Sequence, residues 1–371
     1  MKSAVCGAIA LVVLSSPVMA QDQLTDDRLK GTLDTLRQLN KLPASPTPGR
    51  VLRSAKPGAQ PVAPEVIKQI GDASIEFLQK YSVGQVIYGP DHRRGYDKAA
   101  PFEQRAAEAT AVFVRASQVS PDKNGTVKLA RAGGGRMCSP NELLPHQPTE
   151  PFWDQPRAGF CTGFKIGPDL IATAGHCIRP AAEAGPGDIT CGELRLVFGF
   201  HKTGSRSADR DIPAANVYRC VDVLAGRLDT EDWRIIRVDR PINAPQVTVR
   251  LEGKAPLGTP LTVVGYPVGL PVVISDGATV QRHRPAFFSA DLDTYQGNSG
   301  SPVFNSDRLR AGELFAEGIL VRGEDDFEQQ APCQISKQCP LFSSCRGEDV
   351  TYSSLLEPAL RRFMRTEASK Q

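Results

Sequence analysis

From about Ala109 onward the apolar positions fall in short runs broken by Gly, Pro, Asn and Asp. Ala111-Val112-Phe113-Val114, Leu194 to Phe200, Val217 to Leu224, Val247 to Leu251, Leu261 to Tyr266 and Leu314 to Val321 are such runs. Many short strands separated by turn residues predict an all-β sandwich or barrel. Helical spacing appears only at the two ends. Leu24, Leu29, Leu33, Leu36 and Leu39 recur at helical intervals, Glu65 to Tyr81 predicts a second helix, and Leu356, Leu360, Phe363 and Met364 share one face of a third. Between the first two lies a linker, Leu42 to Pro64, with prolines at 43, 46, 48, 57, 61 and 64. The stretch 21–85 therefore reads as a pro-segment or mobile N-terminal extension, with a small independent domain as the alternative.

Composition changes this picture mainly at the N-terminus. Lys2, the apolar core Ala8 to Leu14 and the small residue ending Val18-Met19-Ala20 predict a secretory signal over 1–20. The run is too short to span a bilayer. The expected product is exported, secreted or periplasmic, with no membrane anchor after signal cleavage. Removing Cys6 leaves eight cysteines, an even number that in an exported chain predicts disulfides. No pair has C-x-x-C spacing, so no zinc site is expected. At net charge +3, with no basic run, nothing points to nucleic acid. A monomer is the expectation.

The candidate chemistry centres on Tyr295-Gln296-Gly297-Asn298-Ser299-Gly300-Ser301-Pro302, which sets a serine between glycines ahead of an apolar strand. A serine hydroxyl needs a base to become a nucleophile, and flanking glycines let backbone amides turn toward the atom under attack. The candidate base is His176. Phe160 to Ile166 reads as a strand, Gly167-Pro168-Asp169 as a turn, and Leu170-Ile171-Ala172 as the return that leads into Thr173-Ala174-Gly175-His176-Cys177. A Cys161–Cys177 disulfide would close a loop of about 16 residues beneath it, worth roughly 3 kcal/mol. A base of this kind works best with a buried carboxylate fixing its tautomer. Asp232, which directly leads the apolar strand Trp233 to Val238, is the candidate, with Asp222 a weaker rival.

Thr-Ala-Gly-His-Cys, Asp-Trp-Arg-Ile-Ile and Gly-Asn-Ser-Gly-Ser-Pro, in that order, resemble the trypsin-like serine proteases over roughly residues 86 to 357. Asn-Ser-Gly-Ser-Pro-Val-Phe looks like the bacterial glutamyl endopeptidase branch, and Val86 to Arg94 resembles the start of the mature enzyme there. The resemblance implies two six-stranded antiparallel β-barrels, the first within 86–245 carrying His176 and Asp232, the second within 246–371 carrying Ser299 and a C-terminal helix. It implies peptide or protein substrates, an acyl-enzyme, an oxyanion hole from the N–H groups of Gly297 and Ser299, and no cofactor.

Some residues depart from the pattern. Asn298 stands where trypsin has the aspartate that pairs with its new N-terminus, so an N-terminal extension would act by blocking the cleft or delaying folding. Asp293 occupies the trypsin pocket-acid position and either favours Arg and Lys substrates or braces the pocket floor. Thr294 matches a pocket threonine of the glutamyl endopeptidases, but their acid-recognising histidine should fall near Leu320 and is absent. Arg322 could pair with Asp293 or reach an acidic substrate. The 322–349 insertion, with Cys333, Cys339 and Cys345, forms either a lip over the cleft or a disulfide-held loop. Cys191 is expected to pair with Cys220, and Cys138 with one of those three. An α/β-hydrolase is excluded because no histidine follows Ser299. A catalytically silent binding module is the non-enzyme alternative.

Overall fold

The computed structural model describes residues 87–131, 136–143, 150–202, 211–330, 333–339 and 345–368. The signal, the linker and the two helices expected between 21 and 85 lie outside them.

Six strands close the first barrel. These are β1 (Thr110–Arg115), β2 (Cys161–Lys165), β3 (Leu170–Thr173), β4 (Leu194–Phe198), β5 (Val217–Leu228) and β6 (Asp232–Val238). They run β5-β6-β3-β2-β1-β4 and return to β5, with every neighbour antiparallel. The β-branched and aromatic residues of β1 and β6 suit a pleated, packed surface, and closure leaves no unpaired edge. The second barrel repeats the plan with β7 (Pro260–Gly265), β8 (Val273–His283), β9 (Phe287–Ala290), β10 (Pro302–Asn305), β11 (Phe315–Arg322) and β12 (Glu348–Tyr352). Its order is β11-β10-β7-β8-β9-β12, and antiparallel pairing of β12 with β11 closes it. The expected two-barrel, all-β architecture is the one observed.

Leu261, Val263, Phe288, Val303, Leu320 and Val350 fill the second barrel. A larger cluster runs from Val112, Phe164 and Ile235 of the first barrel to Tyr266, Phe304 and Ile319 of the second. The C-terminal helix, Glu357–Ala368, is present as expected and packs Leu360 and Phe363 against this cluster. The apolar pattern did not point to the helix Pro101–Glu108 or to β8, whose run is broken by Asp276, Gly277, Gln281 and Arg282. That helix starts with proline at its first turn, and the Glu103 carboxylate accepts a hydrogen bond from the Ala100 N–H at 2.9 Å.

Two short strands bind the chain ahead of the first barrel to the second. Ile87–Tyr88 runs parallel to Gln338–Cys339, and Arg93–Gly95 pairs antiparallel with β8. Disulfides join Cys161 to Cys177, Cys191 to Cys220 and Cys138 to Cys333, and Cys339 and Cys345 are disulfide-bonded as well. Among the described residues no helix is long and apolar enough to cross a membrane.

Candidate active site

His176 follows directly on the end of β3, in the single turn Gly175–Cys177, and Asp232 is the first residue of β6, the antiparallel neighbour of β3. The pairing of those strands therefore brings base and acid together. The Asp232 carboxylate accepts from the His176 backbone N–H at 3.0 Å through Oδ1, and its Oδ2 lies 2.8 Å from His176 Nδ1. One carboxylate thus holds both the backbone and the ring of the histidine and leaves Nε2 outside that grip. Burial opposes the Asp232 charge, but His176 and then Arg322 outweigh it and hold the carboxyl below its usual range. The rival Asp222 is exposed on β5.

The nucleophile turn comes from the second barrel and is fastened to the first by its backbone. Thr162 of β2 donates its N–H to Ser299 O at 2.8 Å and its hydroxyl to Gly297 O at 2.9 Å. Gly297 and Gly300 adopt φ of 92° and 91°, conformations open to glycine at little cost. The Ser299 hydroxyl donates to Val321 O at 3.4 Å. Rotation about one side-chain bond redirects it, and catalytic hydrogen bonds commonly tighten only around substrate.

Buried backbone amides must be paired or have a reason not to be. In this turn the N–H groups of Asn298, Gly300 and Ser301 donate to Tyr295 O, Leu320 O and Asn298 O, and that of Gln296 to Asp326 Oδ2. Among the described residues, those of Gly297 and Ser299 are left without a partner. The Gln296 carbonyl accepts from the Val268 N–H. Because a peptide plane sets C=O and N–H on opposite sides, this turns the Gly297 N–H away from Val268. Val268 has φ of 44°, a strained conformation for a β-branched residue. No local signal in Pro267-Val268-Gly269 beyond its turn residues could have marked it.

The pocket residues nominated from sequence sit differently from expectation. Both oxygens of Asp293 are occupied, by the Tyr88 N–H at 2.7 Å and the His92 N–H at 2.9 Å, with His92 Nδ1 3.4 Å away. Burial outweighs these donors and raises its pKa to about 6. Arg322 neither pairs with Asp293 nor stands free for an acidic substrate. Its β12 neighbour Asp349 takes Nε at 3.3 Å, while Nη1 lies 3.7 Å from Asp232 Oδ2. The Leu320 side chain points into the second-barrel core. Thr294 donates its hydroxyl to Glu348 Oε2 at 3.2 Å. Glu348 was not foreseen: it is separated from Thr294 by most of the 322–349 insertion and more, and the pairing of β9 with β12, which sets Glu348 opposite Ala290, brings the two together.

Cys161, His176 and Cys177 place possible ligand atoms within 4.8 Å of one another. The two sulfurs are bonded to each other, so neither is a thiolate and the set does not suit a metal.

Residues 161–312 match the family model of the trypsin-like peptidase domain. The chain is 25% identical over 247 residues to a trypsin-like protease of Streptomyces glaucescens, covering 60% of this chain and 83% of that protein. It is 30% identical over 166 residues to a glutamyl endopeptidase of Bacillus licheniformis, covering 41% of this chain and 47% of that protein. Among solved structures it is similar to a Glu endopeptidase in complex with MPD, at 14% identity and a TM-score of 0.44, covering 76% of this chain and 100% of that one.

Proposed function

From the premise of a serine-type endopeptidase with a trypsin-like peptidase domain, we propose that the chain cleaves peptide bonds by acyl transfer through Ser299. His176 Nε2 takes the hydroxyl proton as Ser299 Oγ attacks the substrate carbonyl. Asp232 holds Nδ1–H and stabilises the imidazolium. The oxyanion is received by the N–H groups of Gly297 and Ser299, an effect worth about 3 kcal/mol per donor. The proton then passes to the departing amine, and water attacks the acyl-enzyme with His176 as base again. This chemistry asks for no metal or organic cofactor. The observation that carries the reading is the double grip of Asp232 on His176. The N–H groups of Gly297 and Ser299, without a partner among the described residues, support it.

The disulfides fit an exported protein. We extend the proposal to a monomeric enzyme acting outside the cytoplasm after loss of 1–20, restrained by residues 21–85. A fluorophosphonate probe tests the core of it. The wild-type chain should be labelled on Ser299, and Ser299→Ala should lose the label and about a millionfold in kcat. An unlabelled wild-type protein, processed or not, would favour the binding-module alternative.

A further inference from the structure

Gly297 offers one of the two N–H groups that receive the oxyanion, yet its own backbone does not decide where that N–H points. Glycine takes positive and negative φ about equally well, so the peptide linking Gln296 to Gly297 needs support from outside. Asn298 carries no charge and cannot anchor the turn through an ion pair. The support comes from both sides of Gln296. Its carbonyl accepts from the Val268 N–H, and its N–H donates to Asp326 Oδ2 at 2.9 Å. Each peptide unit is planar, so these two bonds fix the plane before Gln296 and the plane after it. With the first plane held, ψ of Gln296 has a fixed reference and the Gly297 N–H a fixed direction.

Asp326 is a buried acid, 6% exposed, that the acyl-transfer steps do not use. Burial pushes its carboxyl well above the usual range, Asp325 adds to the rise, and the Gln296 N–H opposes it. Burying an acid is unfavourable, but an apolar side chain there would leave the Gln296 N–H without its acceptor. Asp326 reaches the turn from the 322–349 insertion, and the insertion is braced at that point. The Asp326 carbonyl accepts from the Lys337 N–H at 2.9 Å, and Phe327–Gln330 pairs antiparallel with Cys333–Ser336. The Phe327 ring lies 4.7 Å from that of Tyr295, the residue before Gln296. Ser336 donates its N–H and its hydroxyl to the two oxygens of Glu150, each at 2.6 Å, so its own oxygen receives the Tyr295 hydroxyl. Cys333 is bonded to Cys138, outside the insertion. Supports locked in this way can hold a group to within the roughly 0.5 Å that a catalytic site requires.

We infer that Asp326 is a positioning residue of the oxyanion site, acting through the Gln296 backbone on the Gly297 N–H. The insertion then braces the nucleophile turn, besides being held by a disulfide itself. This rests on the acyl-transfer reading above and adds to it a residue outside the triad.

The test uses the full chain and a fluorogenic peptide that the wild type cleaves, with fluorophosphonate labelling of Ser299 in parallel. Asp326→Ala should lower kcat about 100-fold, the effect of losing one oxyanion donor, and leave KM within about threefold. A peptide aldehyde, whose adduct with Ser299 sets an oxyanion in that site, should bind about 100-fold more weakly, while the peptide amide of the same sequence binds as before. Asp326→Asn keeps an acceptor oxygen and should stay within about tenfold of the wild-type kcat. Asp326→Leu, which fills similar space without an acceptor, takes the place of the alanine variant if that one does not fold. In the wild type the Gln296 amide proton should exchange with deuterium more slowly than those of Gly297 and Ser299. Equal exchange rates overturn the inference with no variant at all. So does a folded Asp326→Ala protein that keeps kcat within about threefold or raises KM alone, and so does an asparagine variant as impaired as the alanine one. In each of these cases a labelled wild type leaves the protease reading intact. A wild type that takes no label and cleaves nothing overturns the protease reading and this inference with it.

Discussion

Asp232 and Asp293 are equally buried, each at 3% exposure, and belong to opposite barrels. Asp232 faces an imidazole and a guanidinium, and its pKa is lowered. Asp293 faces two backbone N–H groups and, less closely, His92, and its pKa rises to about 6. Backbone amides supply dipoles but no full charge, and here they do not repay the lost hydration. The difference lies in the supports. Asp232 meets partners delivered by the pairing of β3 with β6. Asp293 meets amides from a segment that precedes the first barrel and is tied to the second by short strands. The acid directly paired with an imidazole is held ionised, while the one whose direct partners are backbone amides, with Asp91 close enough to add to the rise, is pushed toward its neutral form.

The sharpest way to break this contrast is to neutralise Asp232, the acid of the proposed triad. Asp232→Asn should lower kcat by about 10⁴ while the protein stays folded, because the wrong histidine tautomer then faces Ser299. Steady-state kinetics beside a circular dichroism spectrum checks it, and a drop of less than tenfold would return Asp232 to a structural role. Next in size is the bridge under the base. Replacing Cys161 and Cys177 together by serine opens a 16-residue separation and should cost roughly 3 kcal/mol in denaturant unfolding at any pH.

The smallest effect is confined to a pH window, and there the two acids act with opposite sign. The depressed Asp232 contributes stability that is present above the unfolded pKa near 4 and is lost as pH falls through its lower folded value. Asp293 does the reverse. Between about pH 4 and 6 the folded state holds the proton that the unfolded state has released. Its contribution should therefore fall across that window by on the order of 2 kcal/mol and stay level above it. Asp293→Asn should flatten this part of the stability curve, although the amide also loses one acceptor for the Tyr88 and His92 amides. An unchanged slope between wild type and variant would show that Asp293 titrates in its ordinary range.

What could be read from sequence follows the same division. His176, Asp232 and Ser299 each sit in a local pattern with a chemical reason: a hairpin end, the start of an apolar strand, a serine between glycines. Short apolar runs bounded by turn residues announced an all-β sandwich or barrel, and the family resemblance supplied the two barrels. Glu348 and Arg322 carry no such sign. Their partners are decided by the registers of β12, where Ala290 of β9 meets Glu348 and Arg322 of β11 meets Asp349, across an insertion whose length hides the pairing. The engagement of Asp293 was invisible for a similar reason, since its donors lie about two hundred residues earlier in the chain. The strained Val268 had no signal, because only the completed turn against Gln296 asks for it.

One contact has a longer reach. A Cβ at Gly300 would fall 1.9 Å from the carbonyl oxygen of Thr162, so the two lobes are keyed backbone to backbone at the turn that carries Ser299. Such a joint tolerates almost no sliding, and the reactive centre keeps its alignment whatever happens at the rim.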